Sequence, residues 1–280
     1  MDRCSEIREL LSMDPWEVQR RAASRLVVCD DIEALHRHFA AQVAQEIRLA
    51  AASGKPCSLI LPVGPTGGYP YLANTIREEQ LDLSHCSFFF MDEYCDRQGR
   101  AVQADHPLSF KGVMRSLFFD DLAPACGLSA DRIVFPDEDN VGDLAARIER
   151  AGGIDACFGG IGIHGHVAFN EPDAGIAHSG PRRVALNDFT VTINAVRAAV
   201  GGNLECFPRA AYTLGMKQIL SAGRLVLYCR NGTDFDWANT VLRLALFGTP
   251  GDDYPVTHIR DTNYLIVTDR NTLKSPVNLI

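Results

Sequence analysis

The sequence lacks three features that would assign the chain to large functional classes. It has no apolar run of membrane-spanning length, and it does not begin with a charged segment followed by an apolar core, as signal peptides do. It also has no block of like charge and no basic stripe, and its formal net charge is -8. We therefore do not expect nucleic acid or a membrane as a partner.

The cysteines form neither a disulfide framework nor a zinc motif. There are nine of them, an odd number, without a CxxC pair or a zinc-like spacing. Several lie in apolar segments, where a free thiol behaves as a small hydrophobic group: Cys29, Cys57, Cys157 and Cys229. This usage predicts free thiols, no metal site of cysteine type, a reducing compartment and hence a cytoplasmic protein.

Strand-like apolar runs alternate with helical patterns along most of the chain. This alternation predicts one α/β domain with a mainly parallel sheet flanked by helices, in a Rossmann-like arrangement. We interpret residues 1–24 as an N-terminal helical extension and residues 25–280 as the α/β domain. The predicted strands are 25–29, 57–63, 86–90, 132–136, 154–158, 224–229 and 264–267, and an extended arm is predicted at 179–189.

The segment 159–172, GGIGIHGHVAFNEP, places two histidines and a carboxylate directly after a predicted buried strand. Its glycines let the backbone leave the sheet and approach a ligand closely. His164, His166 and Glu171 then lie within a short reach of one another. From the residues alone, the segment is either a ligand site or an ordinary polar loop.

Two other segments also follow predicted strands. Residues 64–68, GPTGG, stand between a strand and a helix, where free backbone amides and glycine suit a phosphate group, although a tight turn explains them equally well. Their spacing is neither a P-loop nor a dinucleotide motif. Asp92 and Glu93 end an apolar strand, which indicates either working carboxylates or a helix cap at Asp92.

Taken in order, these motifs resemble the glucosamine-6-phosphate deaminase/isomerase family. The resemblance spans about residues 25–269, and its Asn-Glu-Pro ending separates the chain from the related 6-phosphogluconolactonases. It implies a sugar-phosphate isomerase and amino-sugar deaminase of carbohydrate metabolism, with a small-molecule sugar phosphate as partner and no cofactor, and it allows a homo-oligomer. The matching motifs are PTGG at 65–68, MDEY at 91–94, HP at 106–107, GGIG at 159–162, GHVAFNEP at 165–172 and TLG at 213–215.

The resemblance also implies roles for individual residues. Asp92 would move a proton between C1 and C2 of the opened sugar. His166 would relay the proton that opens the ring, with Glu171 orienting and tuning its imidazole. The phosphate-binding set would comprise Thr66, Gly67, Gly68, Arg197 and Arg183.

Two departures from the family pattern affect this prediction. His164 stands where the family has an aspartate, and a second imidazole cannot raise the pKa of His166 as an anion would. The family's phosphate-binding lysine should fall near Asp234, where an acid would repel phosphate, so Lys217 or Arg230 would have to replace it.

Three alternative functions stay open at this stage. The first is a lactonase that uses His166 as a base on a sugar-acid lactone. The second is a sugar-phosphate-binding module without catalysis, which the two departures motivate. The third is a metal hydrolase with His164, His166 and His106 as ligands.

Overall fold

The computed structural model describes residues 2–64, 66–122, 126–232 and 236–280. Its strands are β1 (Leu26–Cys29), β2 (Cys57–Leu61), β3 (Cys86–Phe90), β4 (Asp92–Tyr94), β5 (Ile133–Val134), β6 (Ala156–Gly160), β7 (Arg182–Ala185), β8 (Ala210–Thr213), β9 (Arg224–Tyr228) and β10 (Tyr264–Asp269). Its α-helices are α1 (Arg3–Ser12), α2 (Pro15–Ala22), α3 (Ile32–Ser53), α4 (Tyr69–Glu78), α5 (Phe110–Met114), α6 (Asp120–Leu122), α7 (Leu144–Arg150), α8 (Asp188–Arg197), α9 (Met216–Leu220), α10 (Asn239–Phe247) and α11 (Arg270–Leu273).

The main sheet has seven parallel strands in the order β1-β10-β9-β6-β2-β3-β5. From β2 the chain proceeds outward to β3 and β5, and it then returns to β6 and proceeds outward the other way to β9 and β10. The predicted α/β fold with a mainly parallel sheet is thus confirmed. Ligands of such sheets bind beyond the carboxyl ends of the strands where this direction reverses, which here lies between β2 and β6.

Both faces of the main sheet are covered, which explains why its strands read as near-continuous apolar runs. Alternate residues of β2 enter different cores: Ile60 packs in one cluster with Leu242 of α10, and Leu59 packs in the other with Phe39 of α3. All five residues of β2 are buried. The carboxyl edge of this strand is therefore held by packing from both sides.

A second, antiparallel sheet of three strands was not predicted. Its order is β4-β8-β7, and β4 begins directly after β3 with Met91 between them. The extended arm predicted at 179–189 is shorter, because β7 ends at Ala185 and α8 begins at Asp188. This small sheet carries the Asp-Glu-Tyr segment away from the main sheet and pairs it with β8.

The N-terminal helices pack on the α/β domain. Helix α2 begins at Pro15, and Asp14 caps it by accepting a hydrogen bond from the amide of Glu17 (2.8 Å). Arg243 of α10 is fully buried, and its Nη2 donates to the carbonyls of Met13 and Leu273 (both 3.1 Å). One guanidinium therefore joins the N-terminal extension to the C-terminal segment, and the division at residue 24 stays a prediction.

Helix α10 begins at Asn239, and residues 233–235 ahead of it lie outside the described part of the chain. All nine cysteines are free thiols. Across the described ranges, we find no helix with the length and apolar character that crossing a membrane requires.

Candidate active site

Three of the predicted motifs reach the same edge of the main sheet. The Thr66–Gly68 turn follows β2, Asp92 follows β3, and the loop with His166 follows β6. Strands β3 and β6 flank β2, so at a spacing of about 4.8 Å between neighbouring strands their ends lie about 10 Å apart. Asp92 and His166 thus belong to one side of the molecule, at the reversal of strand order.

The backbone of the loop after β6 fixes the position of His166. A Cβ at Gly162 would lie 1.9 Å from Nε2 of His166, so the imidazole rests directly against this glycine. The amide of Gly162 donates to the carbonyl of His166 (2.9 Å), and the amide of Gly165 donates to the carbonyl of Gly162 (2.8 Å). Gly165 has a φ of +67°, which favours glycine. The two glycines are therefore required by close contact and by backbone conformation, respectively.

The same loop is tied to β8, the strand that pairs with the one carrying Asp92. The side-chain amide of Asn170 donates to the carbonyl of Leu214 (2.8 Å), and the backbone amide of Phe169 donates to the hydroxyl of Thr213 (3.2 Å). Thr213 is the direct partner of Asp92 in the antiparallel pairing of β4 with β8. The Phe-Asn segment thereby links the histidine loop to the small sheet.

The two carboxylates that begin β4, just after β3, have different surroundings. Glu93 accepts hydrogen bonds from the hydroxyl of Ser109 (3.0 Å) and from the amides of Phe110 (3.0 Å) and Lys111 (2.9 Å). Glu93 therefore accepts hydrogen bonds from the free backbone amides at the start of α5. The helix-capping role considered for Asp92 belongs to Glu93. Asp92 is 9% exposed, and no described residue donates a hydrogen bond to its carboxylate. Burial, assisted by the charge of Glu93, raises the pKa of Asp92 to about 8.

His166 is neutral at physiological pH because of its surroundings. Burial lowers its pKa to about 3, and the nearby His164 and Arg197 add to the effect. The ring centroids of His164 and His166 are 5.6 Å apart, and His164 meets Phe189 of α8 edge to face at 5.2 Å. Among the described residues, Nδ1 of His166 and both ring nitrogens of His164 are buried without a hydrogen-bond partner.

Glu171 does not pair with His166 as the sequence analysis expected. Its Oε2 accepts a hydrogen bond from the amide of Asn187 (2.9 Å), the residue that caps α8, while its Oε1 has no partner in the described part of the chain. Burial raises the pKa of Glu171, against the opposing effects of Thr190 and of the Asn187 amide. The carboxylate of Glu171 thus binds the backbone amide at the start of α8 instead of the imidazole of His166. Any orienting effect of Glu171 on His166 would be indirect.

The predicted phosphate-binding turn and Arg197 lie beside further basic side chains. Gly67 contacts the imidazole of His36, since a Cβ at Gly67 would lie 2.1 Å from Cε1 of that ring. Arg197 as a whole residue is exposed. Its guanidinium, however, lies over the Trp237 ring, 4.9 Å from the ring centroid, and the ring shields it from solvent. Burial lowers the pKa of Arg197, and the charge of Arg230 adds to this.

Comparison with curated proteins identifies relatives over most of the chain, although no family model matches it. A glucosamine-6-phosphate deaminase of Porphyromonas gingivalis is 34% identical over 220 residues, which cover 74% of this chain and 78% of the relative. The enzyme of the same name from Caenorhabditis elegans is 30% identical over 207 residues, which cover 72% and 74%. The chain belongs to the glucosamine-6-phosphate deaminase family.

Solved structures agree on the fold of this deaminase family member. A monomeric glucosamine-6-phosphate deaminase superposes with a TM-score of 0.75 at 23% identity, covering 89% of this chain and 98% of the other. A 6-phosphogluconolactonase from Thermotoga maritima gives a TM-score of 0.64 at 14% identity, covering 87% and 98%. The described strands and helices thus form the fold that deaminases and lactonases share.

Two predicted phosphate ligands of the deaminase family member have no described contact with Arg197 or with the Thr66–Gly68 turn. Arg183 lines an open groove of about 940 Å³ together with Cys95 and His106, and its Nη1 would be 2.9 Å from a Cβ at Gly99. It alternates with Arg182 along β7, so the neighbouring arginine is the one that reaches Asn170 of the histidine loop. Arg183 thus faces this groove in the structure, and its role as a phosphate ligand stays a prediction.

Lys217 shares no side-chain hydrogen bond with another predicted site residue in the described ranges, and its role stays a prediction. It is exposed on α9, and within the described ranges its ammonium group forms no hydrogen bond or ion pair. Asp234, where the family lysine was expected, lies outside the described residues. His106 lines the groove of Arg183 rather than joining His164 and His166, so the three ligands of the metal-hydrolase hypothesis are not assembled. No other metal-binding group of three His, Cys, Asp or Glu occurs in the described ranges.

Sequence reasoning missed three contributors to this deaminase site. They are the capping role of Glu93, the stacking of Trp237 on Arg197 and the contact of His36 with Gly67. Ser109 after a loop is a helix-start signal that could have suggested a nearby partner carboxylate. His36 and Trp237 gave no local signal, because their partners are distant in the sequence.

Proposed function

We propose that the chain converts an amino-sugar 6-phosphate to the ketose 6-phosphate and ammonia, as the names of its relatives suggest. The observation that carries this proposal is Asp92, a buried carboxylate without a hydrogen-bond donor among the described residues and with a pKa of about 8. A base whose pKa lies near the working pH is suited to proton transfer at carbon. Asp92 does not cap a helix, because Glu93 accepts the hydrogen bonds from the amides at the start of α5.

The first step in this proposal is the opening of the sugar ring by His166. Its neutral imidazole accepts the proton of the anomeric hydroxyl and delivers it to the ring oxygen as the bond between C1 and that oxygen breaks. The product is the open-chain aldehyde, with no net gain or loss of protons. The contact with Gly162 holds the imidazole in one place for both transfers.

Asp92 then acts on the open chain. Its carboxylate takes the proton from C2 while the aldehyde oxygen takes one from the substrate's ammonium group, which gives an enol-amine. Asp92 then returns its proton to C1, so that a protonated carbon–nitrogen double bond forms at C2 and the carboxylate is regenerated. Water adds to C2, the bond to nitrogen breaks, and ammonia leaves with the ketose phosphate as the second product. Burial of Asp92 keeps bulk water away from the carbon acid during the transfer.

The proposed site has His164 where the family has an acid. Burial lowers the pKa of His164, so this ring is mainly neutral near pH 7, as His166 is. Ring opening in this chain would therefore proceed with a neutral imidazole that no carboxylate hydrogen-bonds among the described residues. The substitution removes the acid but leaves the ring-opening base in its active form.

The test is to incubate the purified protein with glucosamine 6-phosphate and to measure ammonia and fructose 6-phosphate together. Asp92→Asn should lower turnover by about 10²- to 10⁴-fold, which is the usual contribution of a general base. Asp105→Asn removes an exposed carboxylate outside the site and should leave turnover unchanged. Equal turnover by the wild type and Asp92→Asn would refute the proposal. Hydrolysis of a phosphogluconolactone without ketose formation would instead select the lactonase hypothesis.

A further inference from the structure

Three basic side chains from separate elements lie near one another, and one of them, His36, contacts the Thr66–Gly68 turn directly. They are His36 of α3, Arg197 at the end of α8 and Arg230 after β9, and we call them the basic cluster. The sequence predicts Arg197 as a phosphate ligand and offers Arg230 as an alternative to Lys217, but it gives no signal for His36. Their common location is a property of the fold, since α3, α8 and β9 are far apart in the chain.

His36 faces the turn through a direct contact. A Cβ at Gly67 would lie 2.1 Å from Cε1 and 2.7 Å from Nε2 of the ring, so the imidazole occupies the space that a side chain would fill. Nε2 is buried and has no hydrogen-bond partner in the described ranges. A proton on this nitrogen would therefore be available to a ligand that the backbone amides of the turn also bind.

Arg230 is close to both other members of the basic cluster. Its charge lowers the pKa of His36, after the larger effect of burial, and it also lowers the pKa of Arg197. Its Nη1 donates to the carbonyl of Asn231 (3.1 Å), which fixes one side of the guanidinium. In the part of the chain that the structure describes, neither Arg197 nor Arg230 forms an ion pair with an acid. Like charges held together in this way oppose folding unless an anion binds between them.

We propose that Arg230 and His36 complete, together with Arg197 and the Thr66–Gly68 turn, the subsite that holds the phosphate of the sugar substrate. This inference rests on the proposed function. A phosphate monoester offers three acceptor oxygens and close to two negative charges, which match two guanidinium groups, the Nε2 donor of His36 and the amides of the turn. Arg230, on the segment that follows β9, thus supplies the positive charge that a lysine near position 234 would provide.

In this proposal Arg230 and His36 act in substrate selection rather than in the chemical step. Asp92 acts at C1 and C2, at the other end of the carbon chain from the 6-phosphate, and His166 acts at the anomeric hydroxyl and the ring oxygen. Loss of a cluster member should therefore weaken the discrimination between phosphorylated and unphosphorylated amino sugars. A charge-assisted hydrogen bond to phosphate corresponds to about a tenfold to hundredfold change in affinity.

The experiment measures binding of inorganic phosphate and of glucose 6-phosphate to the full chain by calorimetry. Arg230→Gln should weaken both by about tenfold to hundredfold, His36→Asn by about tenfold, and Arg230→Lys should restore part of the loss. Arg260→Gln and His178→Gln remove exposed basic residues away from the cluster and should bind as the wild type does. Thermal unfolding of each variant, with the partial rescue by lysine, separates lost binding from lost folding.

Wild-type affinity in both Arg230→Gln and His36→Asn would overturn the inference, and so would a loss confined to Lys217→Ala. The two proposals fail separately. If the wild type binds phosphate through Arg230 and His36 but releases no ammonia, the proposed function fails and the phosphate subsite stands. If the enzyme deaminates glucosamine 6-phosphate and Arg230→Gln leaves KM and the preference for phosphorylated substrate unchanged, the proposed function stands and the inference fails.

Discussion

The imidazole of His166 occupies the space directly beside the α-carbon of Gly162, with its Nε2 at 1.9 Å from the position of a Cβ. We therefore expect Gly162→Ala to displace the ring and to lower turnover by about tenfold or more, since small misplacements of a catalytic group are costly. The free energy of unfolding should fall by about 1–3 kcal/mol, as for other overpacked sites. Gly142→Ala is the matched control, because a Cβ at that exposed glycine meets no atom within 4 Å.

Asp92 should make the stability of the fold depend on pH. Its pKa is about 8 in the folded chain and about 4 when unfolded, so the folded state binds the proton more tightly. The stabilisation is complete below pH 4 and is lost as the pH rises through 8. At pH 9, Asp92→Asn should therefore be more stable than the wild type by about 1–5 kcal/mol, as measured by urea unfolding, although it loses activity. If the two proteins show the same pH dependence, the carboxylate is not buried as described.

His166 should have the opposite influence on stability, because its folded pKa of about 3 lies below its unfolded value of about 6.5. Its contribution is present above pH 6.5 and is lost as the pH falls toward 3. His166→Gln should remove this part of the acid sensitivity. Unfolding curves between pH 7 and pH 4 test it, with His178→Gln as a control for an exposed histidine.

Restoring an acid beside His166 should change its titration. In His164→Asp, an anion replaces a ring that is 5.6 Å from His166, so the pKa of His166 should rise by about one unit or more. NMR titration of the imidazole C–H signals measures this directly. His178→Asp introduces the same charge at a distant exposed position and should leave the signal of His166 unchanged. An unaltered titration in His164→Asp would mean that the residue at position 164 does not influence the pKa of His166.

Arg243 should be important for holding the N-terminal helices. Arg243→Met leaves the carbonyls of Met13 and Leu273 without their donor, and we expect a loss of about 2–4 kcal/mol in the free energy of unfolding. Proteolysis should then cut first within α1 and α2. Arg8→Met, at an exposed position on α1, should show neither effect. Proteolysis that begins elsewhere would contradict the proposed attachment.

The parallel sheet and the positions of Asp92 and His166 were predictable because they depend on local order in the sequence. Apolar strands followed by glycine or acidic residues fix which groups reach the carboxyl edge. The pairing of Glu171 was not predictable, since it depends on where the free amide of Asn187 lies after a turn of the chain. The choice between Arg182 and Arg183 required the register of β7, which one residue of slip reverses.

The register of β7 also limits which length changes the chain can accept ahead of this strand. Asp92, Thr213 and Arg182 stand in one row across the small sheet, and Glu93, Tyr212 and Arg183 stand in the next. Deleting one residue ahead of β7 would exchange the rows, so that the arginine now bonded to Asn170 would turn toward the open groove. Length changes in this segment should consequently be tolerated far less well than replacement of either arginine.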